Sequence, residues 1–130
     1  MSLETALRAY VLADVAIAAA VGVRMYPRRL PQGPTLPALV YQRVDTRRLH
    51  DFDGPDGLPR ARVQIAAWAA NVQGATDAAA LVRARLDGYR GAWGDVEVGA
   101  CLCVAERDLD DPETGRSAVV MDYMIQWREA

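Results

Sequence analysis

The sequence has no lysine, one histidine, one phenylalanine, two serines and two cysteines among 130 residues. Each scarcity excludes something. His50, Cys101 and Cys103 cannot supply the four ligands of a structural zinc site, and His50-Asp51-Phe52-Asp53 lies in a Gly/Pro-rich loop with no second His or Cys to complete one. Ser2 and Ser117 are the only serines, and neither stands in a nucleophile-elbow setting. No glycine-rich loop leads from a strand into a helix, because residues 88–94 follow a helical stretch and offer no N-terminal amides to a phosphate. No apolar run approaches the roughly 18–20 residues that span a bilayer. The richest, residues 15–21, is Ala-dominated and preceded by Asp14. Met1-Ser2-Leu3-Glu4 carries an acid where a signal peptide carries bases, so the expectation is a protein made and kept in a reducing cytoplasm. No catalytic constellation, cofactor or metal is expected.

What is present describes an ordinary globular domain. Hydrophobic residues make up 52% and charged residues 25%, and a chain of this length buries roughly 65–70% of its unfolded surface without disulfide or metal help. One domain over residues 1–130 is expected. Fifteen basic against 17 acidic side chains leave a net charge of −2, which argues against nucleic acid as the main partner. All the bases are arginine. A GC-rich genome accounts for that, and arginine's planar fork also suits interface ion pairs. Cys101 and Cys103, one residue apart in a strand, project to one face about 6.5–7 Å apart, too far for a disulfide, and read as small buried hydrophobes.

Ser2 caps a first helix with Leu3, Ala6, Leu7, Tyr10 and Val11 on one stripe, and Asp14 restarts a short helical stretch that stops at Gly22. Residues 24–29 offer a short extended piece, and three prolines keep residues 30–37 from being helical. Residues 38–48 read as a strand, residues 51–59 as concentrated turn chemistry, and residues 60–71 as a strict alternation. Ala75, Ala78, Ala79, Val82, Leu86 and Tyr89 step by three and four along a helix. Residues 95–107 alternate through Val96, Val98, Ala100, Leu102 and Val104; residues 108–113 form an acidic turn without a calcium-loop ladder; residues 117–128 alternate again. The expected fold is an α+β two-layer sandwich: a mainly antiparallel sheet of about four to five strands with two helices on one face.

That arrangement leaves the second face of long strands to be explained. Trp68, Val120 and Met124 fall there, either as an Arg-fringed apolar patch for a protein partner or as a second small core layer. Arg47, Arg48, Arg60 and Arg62 flank the first hairpin loop, around Asp51, Asp53 and Asp56, with Phe52 as its large apolar centre. These eight residues, Arg47, Arg48, Phe52, Arg60, Arg62, Trp68, Val120 and Met124, are the candidate interface. The loop is expected to extend outward as an arm.

Several stretches, in order, resemble a known family. They are Leu12-Ala13-Asp14, Val21-Gly22-Val23-Arg24-Met25-Tyr26-Pro27, Leu30-Pro31-Gln32-Gly33, Pro37-Ala38-Leu39-Val40-Tyr41-Gln42, Arg62-Val63-Gln64-Ile65 running to Trp68, Glu106-Arg107-Asp108 and Pro112-Glu113-Thr114-Gly115. Together they resemble the small tail-completion proteins, similar to tail terminators, of long-tailed phages and gene transfer agents. The resemblance implies a non-enzymatic virion protein: a ring, a hexamer, at the head-proximal end of the tail tube, assembled in the bacterial cytoplasm. It ends tube polymerisation and joins the tail to the head-side connector or stopper, and DNA passes through without specific binding. The implied partners are further copies of the chain, the tail tube protein and that connector, with no membrane. The alternative is a small cytoplasmic α+β enzyme or ligand-binding domain with its pocket between helices and sheet.

Overall fold

Among the residues that the computed structural model describes (2–48, 50, 51, 54, 55 and 59–129), three helices form, each behind a side-chain cap. Ser2 precedes α1 (Leu3–Leu12) and its Oγ accepts from the Thr5 N–H at 3.1 Å. Asp14 precedes α2 (Val15–Val21) and its Oδ1 accepts from the N–H groups of Ala16 and Ile17. Asn71 precedes α3 (Val72–Leu86) and accepts from the Gly74 N–H at 2.8 Å. Each cap satisfies amides that the first helical turn leaves without partners.

The strands are β1 (Met25–Pro27), β2 (Ala38–Arg47), β3 (His50–Asp51), β4 (Gly54–Pro55), β5 (Arg60–Ala69), β6 (Gly91–Trp93), β7 (Val96–Asp110) and β8 (Ser117–Glu129). Six of them form one sheet in the order β1-β2-β5-β8-β7-β6, while β3 and β4 make a two-stranded ladder within the first hairpin loop. The α+β class holds, and its details change. The sheet has six strands rather than four or five, β1 runs parallel to β2, and three helices form rather than two. The extra strand is β6, from the glycine-rich stretch after α3, which pairs with Val96–Val98.

Alternation decides which face each strand buries. Ala61, Val63, Ile65, Ala67 and Ala69 of β5 point toward the helices, as do Val119, Met121, Tyr123, Ile125 and Trp127 of β8. They pack against Leu3, Leu7 and Val11 of α1 and Ala75, Ala79, Val82 and Leu86 of α3. Each fully buried large aliphatic side chain contributes about 1.5–3 kcal/mol. Here β7 departs from the simple alternation. The register shifts between Val98 and Ala100, so Gly99 is an extra residue and the faces exchange beyond it. Val98 is buried, but Ala100 and Leu102 turn outward, and Cys101 takes the core position. Similar shifts leave Val44 and Val104 as exposed bulge residues.

Arg28, just beyond β1, has φ +70, the left-handed region that costs a non-glycine residue roughly 1–2 kcal/mol. Arg28→Gly removes that clash but gives the unfolded chain back about 0.5–1 kcal/mol of freedom. Stability is therefore expected to stay level or rise by about 1 kcal/mol in urea titration. A clear loss would show that the arginine side chain holds the fold together.

Candidate assembly surface

The face of the sheet away from the helices is read from its register. Across β2, β5, β8 and β7, Val40, Ala66, Val120 and Arg107 share a rung, and Ala38, Trp68, Ala118 and Leu109 share the next. Val40, Ala66, Ala118 and Val120 form a second small core, with Leu30 and Trp68 packed against it. Val120, 4% exposed, thus fills a core layer instead of facing solvent, and Trp68 is half-buried as its cover. The proline-rich segment achieves this by bringing Leu30 onto that face, which residue periodicity could not show.

The middle of this face is polar. Asp122, 5% exposed, accepts from Arg62 Nη2 at 2.7 Å and from Gln64 Nε2 at 3.3 Å. Arg62 is thereby engaged across the sheet. A buried carboxylate needs such donors, because its desolvation otherwise costs several kcal/mol. Beyond it the face becomes apolar again. Half-buried Met124 stands in register with Leu102, which is 49% exposed.

Arg47 and Arg60 face each other at the end of the β2–β5 ladder, and Arg48 follows; all three are exposed. No carboxylate pairs with them among the described residues. The hairpin continues into its loop through the pairs His50–Pro55 and Asp51–Gly54. Phe52, Asp53 and Asp56, on which the expected arm also depends, lie outside the described residues. The structure thus collects Arg47, Arg48 and Arg60 at one end of the sheet. It puts Met124 beside Leu102 in the middle and folds Trp68 and Val120 into the small core at the other end.

The opposite border is β7. β6 covers it only at Val96–Val98, and the end of α3 caps the next stretch: the Gly88 N–H donates to Cys101 O at 2.7 Å and the Cys103 N–H to Asp87 Oδ1 at 2.9 Å. From Val104 to Asp110 no described strand lies on the side of β7 away from β8. The cysteines are free. Burial, with Asp87 and Cys103 adding to it, pushes the Cys101 thiol up to about 12, which removes it as a nucleophile at neutral pH. Beneath the helices, where a ligand pocket would lie, Ile65, Val82, Leu86, Met121 and Ile125 fill the space.

Residues 5–127 match the family model described as Tail completion protein gp17. The fold is similar to that of a chain from a solved structure, "Virion of native gene transfer agent (GTA) particle", with a TM-score of 0.80 and 20% identity over 99% of this chain and 96% of that one. No curated protein matches the sequence.

Proposed function

We propose, from the premise that this chain belongs to the tail completion protein gp17 family, that it forms a ring at the head-proximal end of the tail tube, a hexamer. There it stops tube growth and joins the tail to the head-side connector. The chain is a structural protein of the virion tail; the ring and the joining are the further step. The observation that carries it is the extent of the family match, residues 5–127, which takes in every described helix and strand apart from the first two residues of α1 and the last two of β8. A fold shared over nearly the full length with a chain of a gene transfer agent virion supports the same reading.

Two features of the surface suit that role. A ring closed by rotation uses head-to-tail contacts, so each copy must offer two different complementary surfaces. The described sheet has two dissimilar borders, and its outer face carries Met124, Leu102 and Leu109 uncovered or half-covered. Arg47, Arg48 and Arg60, without carboxylate partners among the described residues, stand ready for acidic groups on the tube or the connector. DNA passes through the ring without specific contacts, in keeping with the net charge of −2.

Gold-labelled antibody against this chain, applied to purified particles, is expected to mark the junction between head and tail. Labelling along the tube, at the distal tip, or on the head alone would overturn the reading.

A further inference from the structure

The two borders of the sheet carry opposite charge at the same height. On β7, Glu106, Asp108 and Asp110 stand in register with Met121, Val119 and Ser117, which places them on the helix-bearing side. Arg107 and Leu109, in register with Val120 and Ala118, belong to the other face. Arg83 of α3 neutralises Glu106 at 2.5 Å. Asp110 accepts the Ser117 hydroxyl at 3.0 Å, and Asp108 has no cation beside it among the described residues. Glu106 and Asp108 line a groove of about 440 Å³ between α3 and β7 together with Ala79, Val119, Arg83 and Arg107, the last despite its register with the other face. Asp108 is the carboxylate left there without an ion pair among the described residues.

On the far border, Arg28 and Arg29 leave β1 exposed and without carboxylate partners among the described residues. The Arg28 N–H donates to Tyr41 O at 2.8 Å. Tyr41 shares a rung with Ile65, Met121 and Glu106, and Leu39 shares the next with Ala67, Val119 and Asp108. A second copy set alongside without vertical slip therefore brings its Arg28 level with these carboxylates. The left-handed backbone of Arg28 is a cost kept at an exposed arginine. Pro27 and the brevity of β1 blunt that border against main-chain pairing, which leaves side chains to make the contact.

We infer that Arg28 and Arg29 of one copy seat against Glu106 and Asp108 in the α3–β7 groove of a second copy, a head-to-tail contact that a ring repeats. The contact names the subunit interface of the ring proposed above and rests on that reading for closure only. The groups without ion-pair partners among the described residues, Asp108 on one border and Arg28 and Arg29 on the other, are opposite in charge, so unlike borders attract. Being exposed, the contact weakens as salt rises.

Sedimentation velocity over a concentration series at low and high salt tests it. Arg28→Asp with Arg29→Asp makes both borders acidic, and aspartate tolerates the left-handed backbone; Asp108→Arg makes the β7 border basic like its opposite. The wild-type chain is expected to associate at low salt, each variant alone to associate roughly a hundredfold more weakly, and an equimolar mixture to regain association. Arg28→Gly, which keeps the fold and drops one charge, is expected to weaken association by up to about fivefold. Thermal melts check that every variant is folded. A wild-type chain that stays monomeric throughout, a variant that associates like wild type, or a mixture of folded variants that stays monomeric would each overturn the contact. The solution contains no virion component, so these outcomes are independent of where antibody marks the particle.

Discussion

Particles assembled without this chain are expected to separate into filled heads and free tails, with the tails overgrown and irregular in length. A tail tube grows by repeated addition of identical rings, an open-ended process that stops only when the last surface is covered by something unable to accept another ring. The proposed terminator does this by matching the tube on one side and presenting a different surface on the other. Its loss removes both the stop and the joint, so transfer of DNA to recipient cells should fall to background. Electron microscopy of a deletion strain, with tail lengths measured, checks this. Tails of normal length attached to heads would contradict it, whereas normal-length but detached tails would separate joining from length control.

Alkali is expected to unfold the isolated chain well before most globular domains yield. Cys101 is fully buried, and its thiol is pushed from 9.0 to about 12, first by burial and then by Asp87 and Cys103. The Tyr123 phenol is raised as well, mainly by burial, and donates to Met121 Sδ at 3.3 Å. Both groups are neutral when protonated and are held so by the fold. The folded chain keeps the Cys101 proton between pH 9.0 and about 12 while the unfolded chain loses it. Stability is thus fully present below about pH 9 and falls by about 1.4 kcal/mol per pH unit above it. Over that window Cys101 alone accounts for about 4 kcal/mol, against a total of roughly 5–15 for a domain. Urea midpoints measured at stepped pH should fall steadily above about pH 9. Cys101→Ala should flatten the first part of that fall and leave the later part, due to Tyr123. A midpoint level up to about pH 11 would contradict the linkage.

Much of this fold was legible because local signals agreed. The caps Ser2 and Asp14 begin their helices, the alternation from Ala61 to Ala69 lies on the buried face, and the four long strands fall where periodicity put them. Features that depend on partners distant in sequence were not legible. Nothing near Leu30 shows that it covers Val120, and nothing near Asp122 shows that Arg62 and Gln64 satisfy it. Gly99 adds one residue to β7 and exchanges the faces of Ala100, Cys101 and Leu102. β6 is three residues long, too short for periodicity to register. The acids of β7 were within reach: Glu106, Asp108 and Asp110 alternate, and the strand runs on to Asp110, through residues read from sequence as an acidic turn. Arg28 was beyond reach, since a left-handed backbone at an arginine leaves no mark in composition or spacing.

β8 follows every other element in sequence, yet lies between β5 and β7 near the middle of the sheet. Ten rungs, from Arg60–Gln126 to Ala69–Ser117, join the first hairpin to the second across some of the longest separations in the molecule. During synthesis β5 therefore waits with one border open until residues 117–126 leave the ribosome, and α3 has only part of its floor to pack on. Closing so large a loop late is entropically slow. A nascent chain halted before β8 exposes a ten-residue edge with an apolar face, the kind of surface that captures a like strand from a neighbouring nascent chain. In a cell making many copies at once, the yield of competent subunits is then set by how quickly the final strand arrives, and a pause in translation over residues 100–116 would be felt as aggregation.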